Sequence, residues 1–162
     1  MIEAEIIDLP EQNLKGLYGK GFEQHTYFKV AQRLYQEIAC HLGLKNGFDF
    51  NKHHLIGISL ESPWRTEQTE SKFFAGLKLD DDIEIDYSNL DSHILPAGRW
   101  ARFEHKGAYN TMWQTILSIY ANWVEQNNPK LKDCAIVQHY VNDINCMPIE
   151  DLLTHIYLPI EG

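Results

Sequence analysis

The side chains of this chain with the most capacity to hold a ligand are aromatic. Four Trp, eight Tyr and seven Phe in 162 residues are more than packing alone requires, so some of them line a site. Tyr109 and Trp113 open a helix, where aromatic faces suit flat or cationic compounds at roughly 0.5 to 2 kcal/mol per cation-π contact. The competing role for Trp113 is ordinary core on that helix's apolar stripe. Trp64 follows Pro63 in a loop, where a tryptophan needs a reason beyond packing, and Trp100 lies on a strand after Leu95-Pro96-Ala97-Gly98. Gln138 and Tyr140 share a strand face with Ile136 by two-residue alternation, so a buried Gln138 needs a hydrogen-bond partner there. Trp123 falls in line with Met112 and Ile119 and is read as core.

The titratable residues point to no metal and no cofactor, and none is assigned a catalytic role. Cys40, Cys134 and Cys146 form neither a Cys-x-x-Cys pair nor an even disulfide set, which fits a reducing cytoplasm. Of the eight histidines, the adjacent His53 and His54 point to opposite faces of a strand, and His25, His41, His93, His105 and His139 lack ligand spacing, so surface or capping roles are expected. Glu67, Glu70 and Asp80 to Asp82 read as solvated charges.

A net charge of -9 argues against direct contact with nucleic acid, whose phosphates demand Lys and Arg, and favours cationic ligands. The acidic start, Met1-Ile2-Glu3-Ala4-Glu5, lacks the basic flank and apolar run of a signal peptide, and no apolar stretch approaches a membrane span. A soluble, cytoplasmic protein is expected.

The elements that must position these residues come in a repeated order. Glu3 to Leu17 reads as a strand kinked at Leu9-Pro10, with Gly16 to Gly21 around its end. A helix follows with Tyr27, Val30, Ala31, Leu34 and Ile38 on one face and Gly43 as its stop. Leu55 to Leu60 and Phe73 to Leu79 read as a hairpin with a long connection, and the acidic run from Asp80 to Asp86 with Ser88-Asn89 as a solvated linker. The order then returns. Arg99 to His105 is a strand, Gly107 a break, and Asn110 or Thr111 caps a helix with a stripe of Trp113, Ile116, Leu117, Tyr120 and Val124. Asn127-Asn128-Pro129 ends it, and Ala135 to Val141 and Leu153 to Leu158 are strands, the last closing at Pro159. The expectation is one α+β domain over 1-162 made of two pseudo-duplicated βαββ modules, about 1-80 and 90-162. They pair edge to edge into a twisted antiparallel sheet with two helices on one face and a ligand groove at the module interface.

From Leu95 onward the sequence resembles the GyrI-like domain, which also forms the effector-binding half of many AraC-type and MerR-type regulators. The landmarks are Leu95-Pro96-Ala97-Gly98, the turn Phe103-Glu104-His105-Lys106-Gly107-Ala108-Tyr109, the strand Val137-Gln138-His139-Tyr140-Val141-Asn142-Asp143 and the closing strand from Asp151 to Ile160. In the first half, Gly57 to Pro63 stands where the family has a strand and an acidic, Pro-containing turn. The resemblance implies recognition of small, often cationic and hydrophobic ligands, with the face of Gln138 and Tyr140 turned toward them. Relatives that bind cationic drugs place a buried glutamate at the position of Gln138, and often another at that of His155. With both carboxylates replaced, the ligand is neutral, weakly basic, or matched to a carboxylate supplied elsewhere, such as Glu61.

The leading reading is a binding protein that senses or sequesters a drug-like compound or metabolite, with no DNA-binding unit of its own because the two modules use nearly all of the chain. Its rivals, also implied by the resemblance, are a hydrolase of reactive cyclopropane-bearing xenobiotics and a protein that interacts with DNA gyrase or a separate regulator.

Overall fold

The computed structural model of the chain describes residues 3–21, 27–45, 47–50, 53–60, 71–79, 89–129, 136–142 and 147–161. Proline at position 10 has no N–H to give a ladder, and the first extended segment divides there into β1 (Glu5–Leu9) and β2 (Gln12–Lys20). Helix α1 (Phe28–His41) follows, with Val30, Ala31, Leu34, Tyr35 and Ile38 buried on one side, and Gly43 beyond its end has a positive φ of 68°. Strands β3 (His53–Ser59) and β4 (Lys72–Leu79) complete the first half and pair antiparallel.

The second half repeats the order as β5 (Asp91–Leu95), β6 (Gly98–Lys106), a 3-10 turn (Tyr109–Thr111), α2 (Met112–Ser118), β7 (Ile136–Tyr140) and β8 (Leu153–Ile160). The eight strands form one antiparallel sheet in the order β1-β6-β8-β7-β3-β4-β2-β5. Exchanging the halves, β1 for β5 through β4 for β8, reads that order backwards and leaves it unchanged. The halves meet at β3 and β7, with Gly57 opposite Gln138. They also trade strands: β1 pairs with β6 of the other half and β5 with β2. The symmetry reaches the turns. Gly21 and Gly107, with φ of 137° and 118°, donate their N–H groups to Ser71 O and Leu152 O respectively.

Alternation along the strands sorts the core into two faces. Under α1 lie Leu55, Phe73, Ala75 and Leu77; under α2 lie Ala101, Phe103, Ile156 and Leu158. The opposite face has a third cluster, with Leu14, Ile56, Ile58, Phe74, Leu95, Trp100 and Val137 packed together as the sheet curls. Burying a large apolar side chain such as Phe73, Phe74 or Phe103 contributes roughly 1.5 to 3 kcal/mol.

Four sequence expectations are corrected. The second helix buries Met112, Ile116 and Ile119, an i, i+4, i+7 face, and leaves Leu117 and Tyr120, each one position further round the helix, exposed. Thr111 does not cap it: its hydroxyl donates back to Ala108 O at 2.8 Å. Pro159 does not close the last strand but lies within it, opposite Trp100 on β6 and two residues beyond Tyr157, where the described β7 ladder stops. Strand β5 forms over Asp91–Leu95, where the polar sequence predicts no element. The acidic linker falls mostly at 80–88, outside the described residues. Asn128 is left-handed at φ 44°, as a helix end at Asn127-Asn128-Pro129 requires.

Candidate functional site

The seam between the halves carries an aromatic cluster on the helix side of the sheet. Tyr140, at the end of β7, stands edge-on to Tyr109 with ring centroids 5.2 Å apart and to Tyr35 of α1 at 6.1 Å. Tyr35 in turn meets Phe48 edge-on at 6.0 Å. The Tyr35 phenol donates to Gly76 O at 3.2 Å, that of Tyr109 to Asn142 O at 3.3 Å, and that of Tyr140 to Gln138 Oε1 at 2.9 Å. Burial holds the phenols of Tyr35 and Tyr140 above their ordinary value, and a neighbouring tyrosinate would raise them further, Tyr140 acting on Tyr35 and Tyr109 on Tyr140. Both therefore stay protonated donors across the physiological range.

Gln138 is buried at the centre of this cluster, and the position facing it across the seam is Gly57. A Cβ at Gly57 would lie 2.5 Å from Cζ of Phe73 and 3.1 Å from the Tyr140 hydroxyl, so glycine is required for the rings to close over the seam. One strand further, Thr154 is fully buried and its Oγ1 has no hydrogen-bond partner among the described residues. A buried hydroxyl left without a partner costs about 1 to 3 kcal/mol, a penalty that a polar atom brought by a ligand could remove.

The turn that delivers Tyr109 is braced from below by His105. Its Nε2 donates to Ala108 O at 2.9 Å, and its Nδ1 shares a hydrogen bond with the Thr115 hydroxyl at 2.6 Å. His105 is buried and is a structural strut, not a surface group.

The sequence-selected residues divide between the two faces. Tyr109, Gln138 and Tyr140 come together on the helix side, and Trp113 is half-buried in the first turn of α2. Trp100 lies on the other face, where it meets Tyr157 edge-on at 6.4 Å. His155 is on that face too, beside His139 and Tyr157. Burial pulls the His155 imidazole below its ordinary value, helped by Arg102 and opposed by Glu104 and Glu5. Trp64 and Glu61 lie outside the described residues. Trp123 packs edge-on against Phe103 at 5.2 Å, in the core as expected. Tyr35 was not singled out as a site residue, although its spacing from Ala31 and Ile38 sets it on the buried face of α1. Among the described residues no group of three or more His, Cys, Asp or Glu is placed to hold a metal ion, and no helix is long and apolar enough to cross a membrane.

Residues 2–161 match the family model described as the GyrI-like small molecule binding domain. A probable transcriptional regulator of Escherichia coli O157:H7, YgiV, is 23% identical over 110 residues, spanning 68% of this chain and 69% of that one. Among solved structures, the C-terminal domain of EcmrR superposes with a TM-score of 0.73 at 16% identity over 100% of this chain and 99% of its own. SAV2435, solved bound to tetraphenylphosphonium, gives 0.65 at 19% identity over 99% and 94%. A hydrolase from Listeria innocua gives 0.62 at 15% over 98% and 92%.

Proposed function

The chain belongs to the GyrI-like small molecule binding domain family, and on that premise we propose that it captures amphipathic aromatic compounds, cationic ones included, against the tyrosine cluster at the seam of its two halves. The observation that carries this reading is the arrangement of Tyr35, Tyr109 and Tyr140 around the buried Gln138 and the partnerless hydroxyl of Thr154. Ring faces attract flat or cationic groups, and the amide and hydroxyl supply the few convergent polar atoms that orient a ligand in an otherwise apolar site. Among the described residues of the cluster there is no carboxylate to act as a general base, which favours binding over hydrolysis, although the neighbour named a hydrolase shares the fold. The same lack sets the selectivity. Stacking, not a buried counter-charge, provides the affinity, so a cation and its neutral analogue of the same shape bind comparably. The net charge of -9 supports a role without direct contact to nucleic acid, whether the protein sequesters its ligand or reports it to a separate regulator.

Titration calorimetry with tetraphenylphosphonium and neutral triphenylphosphine oxide tests the proposal. At about 0.3 kcal/mol per non-hydrogen atom, a ligand of ~25 such atoms gains ~7.5 kcal/mol, a dissociation constant of a few micromolar. Micromolar binding of both compounds, within about tenfold of each other, is expected. Absence of binding at 1 mM by either would overturn the reading.

A further inference from the structure

The face of the sheet away from the helices holds a cavity of about 220 Å³, the liquid volume of about seven waters. Its apolar wall is Trp100, Ile56 and Val137, three residues of the third core cluster. Its polar end is Lys78, His54 and His139. These belong to a basic row that crosses four neighbouring strands. Lys78 on β4 is opposite His54 on β3; the rings of His54 and His139 on β7 are 5.9 Å apart; and those of His139 and His155 on β8, directly opposite each other, are 6.1 Å apart. In a chain whose net charge is -9, four basic groups stand side by side, and among the described residues no Asp or Glu lines the cavity.

We propose that this cavity is a second ligand site, for a compact aromatic carboxylate whose ring lies against Trp100 and whose acid group meets Lys78 and the N–H groups of His54 and His139. Charge decides the ligand's sign. A cation placed here would face Lys78 with no counter-ion among the described lining residues, whereas a carboxylate gains a permanent partner and two imidazole donors at once. The protonation state of the row fits the same choice: burial first, then the positive charges of His155, His54 and Lys78, hold the His139 imidazole down to about 4, so it waits neutral for an anion that would raise it. Size decides the rest, since a bicyclic ring with one substituent fills the space. The site lies across the sheet from the tyrosine cluster and stands independently of the reading given to that cluster.

The test is an NMR titration with 2-naphthoate, 2-naphthylmethanol and 2-naphthylmethylamine, watching the imidazole resonances of His54 and His139 and the indole N–H of Trp100. Naphthoate is expected to shift these signals and to bind at least ~10-fold more tightly than the alcohol or the amine. Lys78 is exposed, so Lys78→Gln should fold normally and lose about tenfold for naphthoate, and Lys78→Arg should recover most of it. Uptake of a proton on binding, read as an upward shift of the His139 titration in the complex, separates ligation at the row from mere burial against Trp100. Equal affinity for all three compounds, no binding at millimolar concentration, indifference to Lys78→Gln, or shifts confined to Tyr109 and Gln138 would each overturn the proposal.

Discussion

The phenol of Tyr140 donates a 2.9 Å hydrogen bond to Oε1 of Gln138, two residues earlier on the same strand face. That bond sets the amide's orientation, with its oxygen held by Tyr140 and its NH2 group directed elsewhere in the cluster. An amide fixed in this way presents donors and a single remaining lone pair, and it brings no net charge to the centre of the sheet.

Gln138→Glu should therefore convert a shape-selective site into a charge-selective one. At an effective dielectric near 20 the added attraction to a bound cation can reach ~4 kcal/mol, offset in part by the cost of burying the carboxylate in the empty protein. We expect tetraphenylphosphonium to bind at least ~10-fold tighter and triphenylphosphine oxide no better, measured by calorimetry. Stability should change with pH as well. Burial raises the new carboxyl's folded-state pKa above its unfolded value, so the variant matches the parent below about pH 4 and loses stability as the pH rises through the folded value. Urea midpoints of both proteins at pH 4 and pH 8 check the sign.

Gly57→Ala should destabilise the fold by about 1 to 3 kcal/mol, since the new methyl meets the Phe73 ring at 2.5 Å. The double variant Gly57→Ala, Phe73→Leu should recover part of that loss through a favourable coupling of at least ~0.5 kcal/mol, measured by a denaturant double-mutant cycle.

Tyr109→Leu should separate binding from folding. Tyr109 is half-buried and its phenol donates to a backbone carbonyl, so the melting temperature should move by no more than a few degrees, while affinity for tetraphenylphosphonium falls about tenfold with loss of an aromatic face.

His139 gives the fold an acid limit. Its folded value of about 4 lies below the ordinary value near 6.5, so the unfolded chain binds the extra proton. The contribution is complete above about pH 6.5 and is lost as the pH falls toward 4, amounting to ~3 kcal/mol at most. His93 and His155, also lowered by burial, add in the same direction. Urea midpoints should drop between pH 7 and pH 5, and by less in His139→Gln.

The repeated order of elements was legible because its punctuation is local: Pro10, Gly43, Gly107 and Asn128 mark ends by what their own backbones permit. The exchange of β1 and β5 between halves was not, since a short polar run such as Asp91 to Leu95 takes its strand conformation from a distant partner, β2. Of the candidate site, alternation puts Gln138 and Tyr140 on one strand face, the family resemblance turns that face toward a ligand, and Tyr109 is marked by its place at a helix start. Alternation alone could not say which face of the curled sheet the helices cover, and so Trp100 and His155 were grouped with residues that lie across the sheet from them. The His54, His139 and His155 row has no signature in spacing along the chain because its members are neighbours only across strands.

The traded strands bear on how the protein reaches its folded state. The ion pair of Arg102 with Glu5, which ties β6 to β1, joins residues 97 positions apart, so this edge of the sheet closes only after about three fifths of the chain has been brought together. Contacts of such long range slow folding. Until they form, each half exposes an open edge matched to a strand it does not own, and a second molecule carries the same strand. Refolding at high concentration should thus divert part of the material into reciprocal dimers, whereas dilution favours closure within one chain.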